Sequence, residues 1–243
     1  GGHPEVTVRG WLRYYRGDEC VLSLGGEDAF PMRSLLKPVQ FLAGLGSLFV
    51  DQVPERWAPA LGSPSGTPAQ TRCLERWFGE EEFSSHRSSL RLKPSMPFDS
   101  DAAGVARSEG AQARKEWNSC YVKHLAILEA CHRHGWDTAT YCGKSHPFHE
   151  RVRGILAHAL QREPETFEFA IDGCRLPTPV LTLDDMSRVY RNFLEEKAPA
   201  ATAAFEAMRR HPEWIGGPGR LDTELMRRNA RVIAKEGADG LLA

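Results

Sequence analysis

The hydrophobic positions near the start of the chain fall in short β-favouring runs rather than in helical periods. Val6, Val8 and Trp11 form the first run, and residues 21–24 form the second. The Arg-Gly-Asp sequence at 16–18 separates the two runs, as a turn would. The pattern therefore predicts strands in this part of the chain.

Longer stretches further along predict helices with recognisable starts and ends. Lys37-Pro38 marks a helix start, because proline is tolerated in the first turn. Thr67-Pro68 starts a helix that Gly79 ends. Capping and helix-ending residues predict further helices at 120–134, 146–160, 182–196, 198–210 and 223–228, the last capped by Asp222. Strands are predicted at 167–171 and 231–235, and a loop with one short helix at 84–115. The pattern indicates a mixed α/β protein.

The composition narrows the class of protein. A chain of 243 residues with 41% hydrophobic content can bury one substantial core, so we expect a single domain over 1–243. A net charge of −1, with acidic and basic residues alternating, argues against a nucleic-acid partner. No apolar run of about eighteen residues occurs, so we expect no membrane span. Six dispersed cysteines indicate reduced thiols and a cytoplasmic location rather than a disulfide framework.

Ser34 and Lys37 are the first candidates for chemistry. Residues three apart share one face of a helix and could hydrogen-bond. A serine hydroxyl becomes a nucleophile when a base removes its proton, and a lysine is that base only when neutral. Apolar neighbours, here Leu35, Leu36 and Pro38, favour the neutral amine. The alternative is a chance Ser-x-x-Lys sequence with a surface lysine.

Two cysteines are the second candidates. Cys120 and Lys123 have the same three-residue spacing at a predicted helix start, and Cys174 directly follows a predicted buried strand. A helix N-terminus lowers the pKa of a thiol, and a thiolate is a zinc ligand. The alternative is that both cysteines are small buried side chains.

Six fragments occur in a fixed order: Ser34-Leu-Leu-Lys-Pro38, Ser63-Pro-Ser-Gly66, Cys120-Tyr-Val-Lys-His124, Asp172-Gly-Cys174, His211-Pro-Glu-Trp-Ile-Gly-Gly-Pro-Gly-Arg220 and Ala234-Lys235. Together they resemble the bacterial, inducible-type L-asparaginase II family, of the zinc-containing, serine–lysine type found in Rhizobium. The resemblance covers nearly the whole chain. Relative to the family pattern, we expect the chain to be shortened at both ends.

This resemblance implies a fold and a reaction. The fold would be α/β, of the serine β-lactamase, penicillin-binding-protein and glutaminase type, with a central antiparallel sheet flanked by helices. The reaction would be hydrolysis of the side-chain amide of L-asparagine, or of a related small amide, to aspartate and ammonia. Ser34 and Lys37 would be the nucleophile and its base, and Ser63 and Lys235 would form the second pair. The family also suggests a homodimer.

The resemblance further implies a metal site and a substrate site. Zinc would be bound by Cys120, Lys123 and Cys174, although spacing alone would not select a lysine as a ligand. The implied substrate-binding residues are Arg33, Asp172 and Arg220. Either arginine could hold the substrate α-carboxylate through paired hydrogen bonds, or could simply form a surface ion pair.

Of the residues that depart from the family pattern around these sites, four bear most directly on the chemistry. Tyr121 and Val122 replace a serine and a glycine, Pro64 replaces a histidine, and Arg175 replaces a glycine beside Cys174, where it would bring a charge next to the metal. These changes leave two alternatives open. The protein could act on a different amide in a specialised pathway, or it could be a non-catalytic relative that binds zinc or a ligand. Retention of all four serine and lysine positions favours chemistry.

Overall fold

The computed structural model describes residues 7–195 and 197–243, so Val6 and Glu196 of the predicted elements lie outside the described residues. Its α-helices are Lys37–Leu45 (α1), Ala58–Leu61 (α2), Pro68–Phe78 (α3), Ser84–Ser89 (α4), Ser100–Ser108 (α5), Tyr121–His134 (α6), Pro147–Leu160 (α7), Leu183–Glu195 (α8), Pro199–Arg210 (α9), Pro212–Ile215 (α10) and Leu221–Arg228 (α11). Its strands are Leu12–Arg16 (β1), Glu19–Leu24 (β2), Ala29–Pro31 (β3), Phe169–Ile171 (β4) and Pro177–Thr182 (β5). The mixed α/β class predicted from the sequence is confirmed.

Three of the strands form a small antiparallel sheet in which β5 lies between β3 and β4. Phe30 of β3 pairs with Leu181 of β5. No strand is predicted at 177–182, where Pro177 and Pro179 are unfavourable residues for a central strand. The sheet accommodates Pro179 because its carbonyl still accepts a hydrogen bond, from the Met32 N–H at 2.8 Å. The sheet leads directly into the turn that precedes α1.

The other two strands form a separate hairpin, β1 with β2. Its turn lies at 17–18, inside the predicted Arg-Gly-Asp turn. The second predicted run becomes β2, whereas Val8 and Trp11 precede β1 and are not in a strand. Every residue of β2 is exposed, so the hairpin adds nothing to the central core.

Two predicted segments differ from the structure. The stretch 84–115 contains two helices, α4 and α5, because the Asp99 side chain caps α5 by accepting a hydrogen bond from the Ala102 N–H at 2.8 Å. The stretch 231–235 is not a strand. Lys235 and Ala243 exchange backbone hydrogen bonds of 2.7 and 3.0 Å, and this short contact brings the C-terminal segment alongside Lys235.

The predicted helix ends are confirmed at several places. Thr67 and Gln70 form a capping box at the start of α3, and Gly79 follows its last residue. Gly135 adopts a left-handed φ of 68° and ends α6, as a C-terminal glycine does. His146 caps α7 through its ring nitrogen. These local signals fix where each helix begins and ends.

Helix α1 crosses the centre of the hydrophobic core. All of its residues except Leu42 are buried, and it packs against α2, α6, α7 and α9. Gly44 allows the close contact with α6 and α7, because an added Cβ would lie 3.1 Å from Ala130 and 3.3 Å from Phe148. The first turns of α1 and α6 are both buried, and they carry the predicted site residues Lys37 and Lys123. Among the described residues, no helix is long and apolar enough to cross a membrane.

Candidate active site

Ser63 lies on a loop that is held tightly against the C-terminal end of α10. The Ser63 N–H donates to the Ile215 carbonyl at 2.5 Å, and the Ser65 N–H donates to the Gly216 carbonyl at 2.9 Å. Gly62 permits this approach, because a Cβ there would lie 2.5 Å from the Ile215 Cα. Ser63 is only 6% exposed. The backbone that carries the Ser63 hydroxyl is therefore fixed by hydrogen bonds at residues 63 and 65.

Lys37, the first residue of α1, reaches this loop. Its Nζ lies 2.8 Å from the Ser63 Oγ and also contacts the carbonyls of Gly62, at 2.6 Å, and of Ser119, at 2.7 Å. The side chain is fully buried. Burial lowers the pKa of Lys37 to about 7, assisted by the charges of Lys123 and Lys235 and opposed by the thiolate of Cys120.

These three contacts can be made by a charged lysine, which donates to all three oxygens, and also by a neutral one. A neutral amine has two N–H donors and one lone pair, and a carbonyl oxygen is only an acceptor. If the N–H groups of Lys37 are directed at Gly62 and Ser119, the lone pair is left facing the Ser63 hydroxyl. Lys37 is thus arranged to take a proton from Ser63 as well as to give one.

Lys235 approaches the same hydroxyl from the opposite end of the chain. Its Nζ donates to the Ser63 Oγ at 3.1 Å and to the Glu236 carbonyl at 2.6 Å, and lies 3.6 Å from the Asp222 Oδ2. Lys235 is fully buried. Burial lowers its pKa to about 8, while the Asp222 carboxylate opposes that effect.

Ser34 occupies a different position from Ser63. It lies in a one-turn 3-10 helix, Arg33–Leu36, directly before α1, and it is half-buried. Among the described residues, no hydrogen bond joins its hydroxyl to Lys37, which differs from the expected pairing. The three contacts of the Lys37 Nζ already account for its hydrogen-bonding capacity. Ser34 is therefore the more accessible hydroxyl, and Ser63 is the one linked to both lysines.

The predicted metal ligands lie together at the N-terminal end of α6. The Lys123 Nζ is 3.2 Å from the Cys174 Sγ, which in turn lies 3.7 Å from the Asp172 Oδ2. A hydrogen bond from Cys174 holds the pKa of Cys120 well below its ordinary value against the effect of burial. The same bond, with burial, raises the pKa of Cys174. Burial disfavours a charge on Lys123, but the nearby Cys120 thiolate outweighs it, so the pKa of Lys123 is raised.

This donor set fits a zinc ion. Two thiols and one amine converge in a buried site, one thiol is already disposed to be a thiolate, and nitrogen and sulfur are zinc ligands. Asp172 supplies a carboxylate beside them, of the kind that orients metal ligands. Among the described residues, one further group of possible ligand atoms, from Glu55, His211 and Glu213, lies within 4.8 Å of one another. Those side chains are partly or fully exposed.

The serine–lysine group and the cysteine group are parts of one site. Lys37 contacts the carbonyl of Ser119, which immediately precedes Cys120. The pKa of Lys37 also depends on the charges of Cys120 and Lys123. Binding of a cation at the cysteines would therefore alter the proton affinity of Lys37.

The predicted substrate-binding residues are all engaged with partners in the protein. The Arg33 Nε donates to the Asp172 Oδ1 at 3.0 Å, and Arg33 also forms an ion pair with Asp239. Arg220 forms an ion pair with Glu236 and lies over the Phe98 ring, 4.6 Å from its centroid. The Arg33–Asp172 contact links the turn that carries Ser34 to the loop that carries Cys174, so it organises the site even without substrate.

The departures from the family pattern have different surroundings. Pro64, Tyr121 and Val122 are buried within or beside the site. Arg175 is exposed, so its side chain faces solvent rather than the metal ligands, in contrast to the expectation. Arg175 also has a φ of 77°, a left-handed conformation in which a glycine is at ease. The backbone conformation at this position therefore favours the glycine of the family pattern.

The sequence interpretation misses one residue of the site. Asp222 is predicted as a helix cap, but it lies inside α11 with Arg220 as the capping position. Its carboxylate is fully buried and is directed at Lys235. Its place next to Thr223 in a capping-like sequence conceals this role, and no local signal reveals it.

The family model for L-asparaginase II matches residues 9–243. The chain belongs to the L-asparaginase II family. This membership suggests a hydrolase that acts on the amide of L-asparagine. No curated protein is similar enough to this chain to be matched. The L-asparaginase II match covers every candidate residue described above, from Arg33 to Lys235.

Proposed function

We propose that the protein hydrolyses the side-chain amide of L-asparagine, or of a closely related small amide, by serine–lysine chemistry. One observation carries this proposal: the buried Ser63 hydroxyl lies 2.8 Å from Lys37 and 3.1 Å from Lys235. A hydroxyl between two lysines, one suited to the neutral form and one to the charged form, is a path for moving protons.

Ser34 is the nucleophile in this proposal. It is half-buried and therefore open to a small substrate, whereas Ser63 is 6% exposed and already bonded on two sides. Ser34 Oγ attacks the carboxamide carbon, and its proton passes to neutral Lys37 once the Lys37 lone pair turns from the Ser63 hydroxyl toward Ser34. Hydrogen bonds between a nucleophile and its base are often long without substrate and shorten in the complex.

Ser63 and Lys235 serve the leaving group. When the tetrahedral intermediate collapses, the C–N bond breaks and the departing nitrogen needs a proton. Ser63 donates its proton to that nitrogen and recovers one from Lys37, while Lys235 stabilises the developing charge on the Ser63 oxygen. Water then cleaves the ester on Ser34, giving aspartate and ammonia in total.

Zinc belongs to the same proposal, with Cys120, Lys123 and Cys174 as its ligands. When bound, it would orient the substrate and polarise its carbonyl group. Loss of the Lys123 proton would accompany binding, because an amine ligand must be neutral. The proposal also includes a small-molecule amide as the substrate and a homodimer as the oligomeric state.

The finer fold assignment is also a proposal. The Ser34 and Lys37 pair at the start of a buried helix, with Ser63 on a following loop and Lys235 near the C-terminal end, supports the serine β-lactamase, penicillin-binding-protein and glutaminase architecture. The antiparallel sheet beside α1 is consistent with it.

The direct test is ammonia release from L-asparagine, followed by mass spectrometry with an electrophilic diazoketone analogue of asparagine. We expect ammonia release and an adduct on the peptide that carries Ser34. Glutamine and N-substituted asparagines are the comparison substrates, because Tyr121 and Val122 are both buried where the family has smaller residues. Activity on one of those alone would favour a different amide, and an adduct on Ser63 would exchange the roles of the two serines. No turnover of any amide would refute the proposal.

Cys174→Ser is expected to lose most of its bound zinc, because it removes the sulfur that contacts both Lys123 and Asp172. Elemental analysis of the purified protein measures this loss. Cys73→Ser is the matched control, since Cys73 is a free, partly buried cysteine on α3 with no part in the site. Equal zinc in both variants would remove Cys174 from the ligand set.

A further inference from the structure

Asp222 is a buried carboxylate without an assigned role. It is fully buried, and so is Lys235. The Asp222 Oδ2 lies 3.6 Å from the Lys235 Nζ and accepts a hydrogen bond from the Glu236 N–H at 3.1 Å. The Asp222 Oδ1 accepts one from the Thr223 N–H at 2.8 Å. Each of these groups is a donor, which is the environment that an ionised carboxylate requires.

The position of Asp222 is also enforced by its surroundings. Gly216 lies so close that an added Cβ would be 2.3 Å from the Asp222 Oδ1. The Thr223 hydroxyl donates to the Pro212 carbonyl at 2.9 Å and accepts from the Gly217 N–H at 3.0 Å. The carboxylate is therefore locked against the same 212–217 segment that holds the Ser63 loop.

The other charged groups around Lys235 either form an ion pair with each other or are separated from it by the Ser63 hydroxyl. Arg220 and Glu236 neutralise each other as an ion pair, and Glu236 meets the Lys235 ammonium with its carbonyl rather than its carboxylate. Lys37 lies across the Ser63 hydroxyl and, when it is protonated, repels a charge on Lys235. Asp222 is the counter-charge that the described residues place directly against Lys235.

We propose that Asp222 is a positioning residue that keeps Lys235 charged and directed at the Ser63 hydroxyl. This inference rests on the proposed function for its catalytic consequence, but the Asp222–Lys235 contact itself does not. A charged Lys235 donates to the Ser63 oxygen, so that when Lys37 is neutral the Ser63 proton is left to face the Lys37 lone pair. Asp222 thereby sets the direction of the proton path without touching the substrate.

The test is an NMR titration of lysine side chains labelled at Cε and Nζ, which resolves the seven lysines of the chain; Lys235→Arg assigns the signal. In Asp222→Asn, we expect the titration midpoint of Lys235 to fall by about one unit or more, because an opposite charge at this distance has gone. Glu224→Gln, which removes a half-exposed carboxylate from the same helix, should leave that midpoint unchanged. An unchanged midpoint in Asp222→Asn would overturn the proposal.

A second measurement covers the case in which Asp222→Asn folds poorly. In a double-mutant cycle with Lys235→Met, urea unfolding should show the double variant to be less destabilised than the sum of the single variants, because neither buried charge is left alone. Additive losses would overturn the inference. Neither readout uses turnover, so a failed asparaginase assay with a shifted Lys235 midpoint would refute the proposed function and leave this inference standing.

Discussion

Ser34→Ala is expected to lower kcat/KM for ammonia release by about 10⁴-fold or more, because it removes the group that forms the ester intermediate. Folding should be unaffected. The Ser34 hydroxyl is half-buried, and among the described residues no side-chain hydrogen bond depends on it. Ammonia release under saturating and limiting substrate, with a thermal melt of each protein, measures both effects.

Ser63→Ala is the matched comparison for Ser34→Ala. It removes a hydroxyl of the same size from the same site, but one whose role is to relay protons, so we expect a smaller loss of about 10²-fold. The electrophilic analogue should still label Ser34 in Ser63→Ala. If the larger loss instead followed Ser63→Ala, with labelling abolished there, Ser63 would be the nucleophile.

Lys37→Met is expected to lower kcat/KM by about 10³-fold, which is the range for loss of a general base. Methionine has a similar length and suits the buried position, although it leaves the Gly62 and Ser119 carbonyls without a partner. Lys93→Met is the control, because the Lys93 side chain is exposed. Full activity in Lys37→Met would exclude Lys37 as the base.

The pH profile provides the sharper measurement of Lys37. Burial lowers its pKa to about 7, and a lysine base works only when unprotonated, so wild-type activity should fall as the pH drops below that value. Burial lowers the pKa of Lys235 to about 8, and Lys235 works when charged, so activity should also fall above that value. Lys37→Met should lose the acid limb of this profile and retain the alkaline limb. A persistent acid limb would assign it to another group.

The helices could be predicted from sequence because their signals are local. Thr67, Pro68 and Gly79 define α3 without reference to the rest of the chain, and Gly135 ends α6 in the same way. The sheet could not be predicted as well. β5 carries two prolines and becomes a central strand only because β3 and β4 flank it, which is a tertiary effect.

The site residues could be predicted from motifs, but their pairing could not. The three-residue spacing of Ser34 and Lys37 suggests a contact between them, whereas the Lys37 side chain instead meets Ser63. That partner is determined by the packing of α1 and by the close approach allowed by Gly62, neither of which is visible in a motif. Asp222 is hidden for the same reason, since its sequence neighbours suggest a helix cap and its spatial neighbour is Lys235.

The contacts that bring Lys235 and Lys37 to the site have a consequence for when the folding protein becomes active. The Lys235 Nζ and the Ser63 Oγ are separated by 172 residues along the chain, and the Lys37 Nζ and the Ser119 carbonyl by 82. Contacts of such high sequence separation require long loops to close, which costs entropy and slows folding. A nascent chain on the ribosome therefore has no working centre until the segment that carries Lys235 has emerged and docked. Recovery of turnover after dilution from denaturant would then report the final phase of refolding rather than the early appearance of helices.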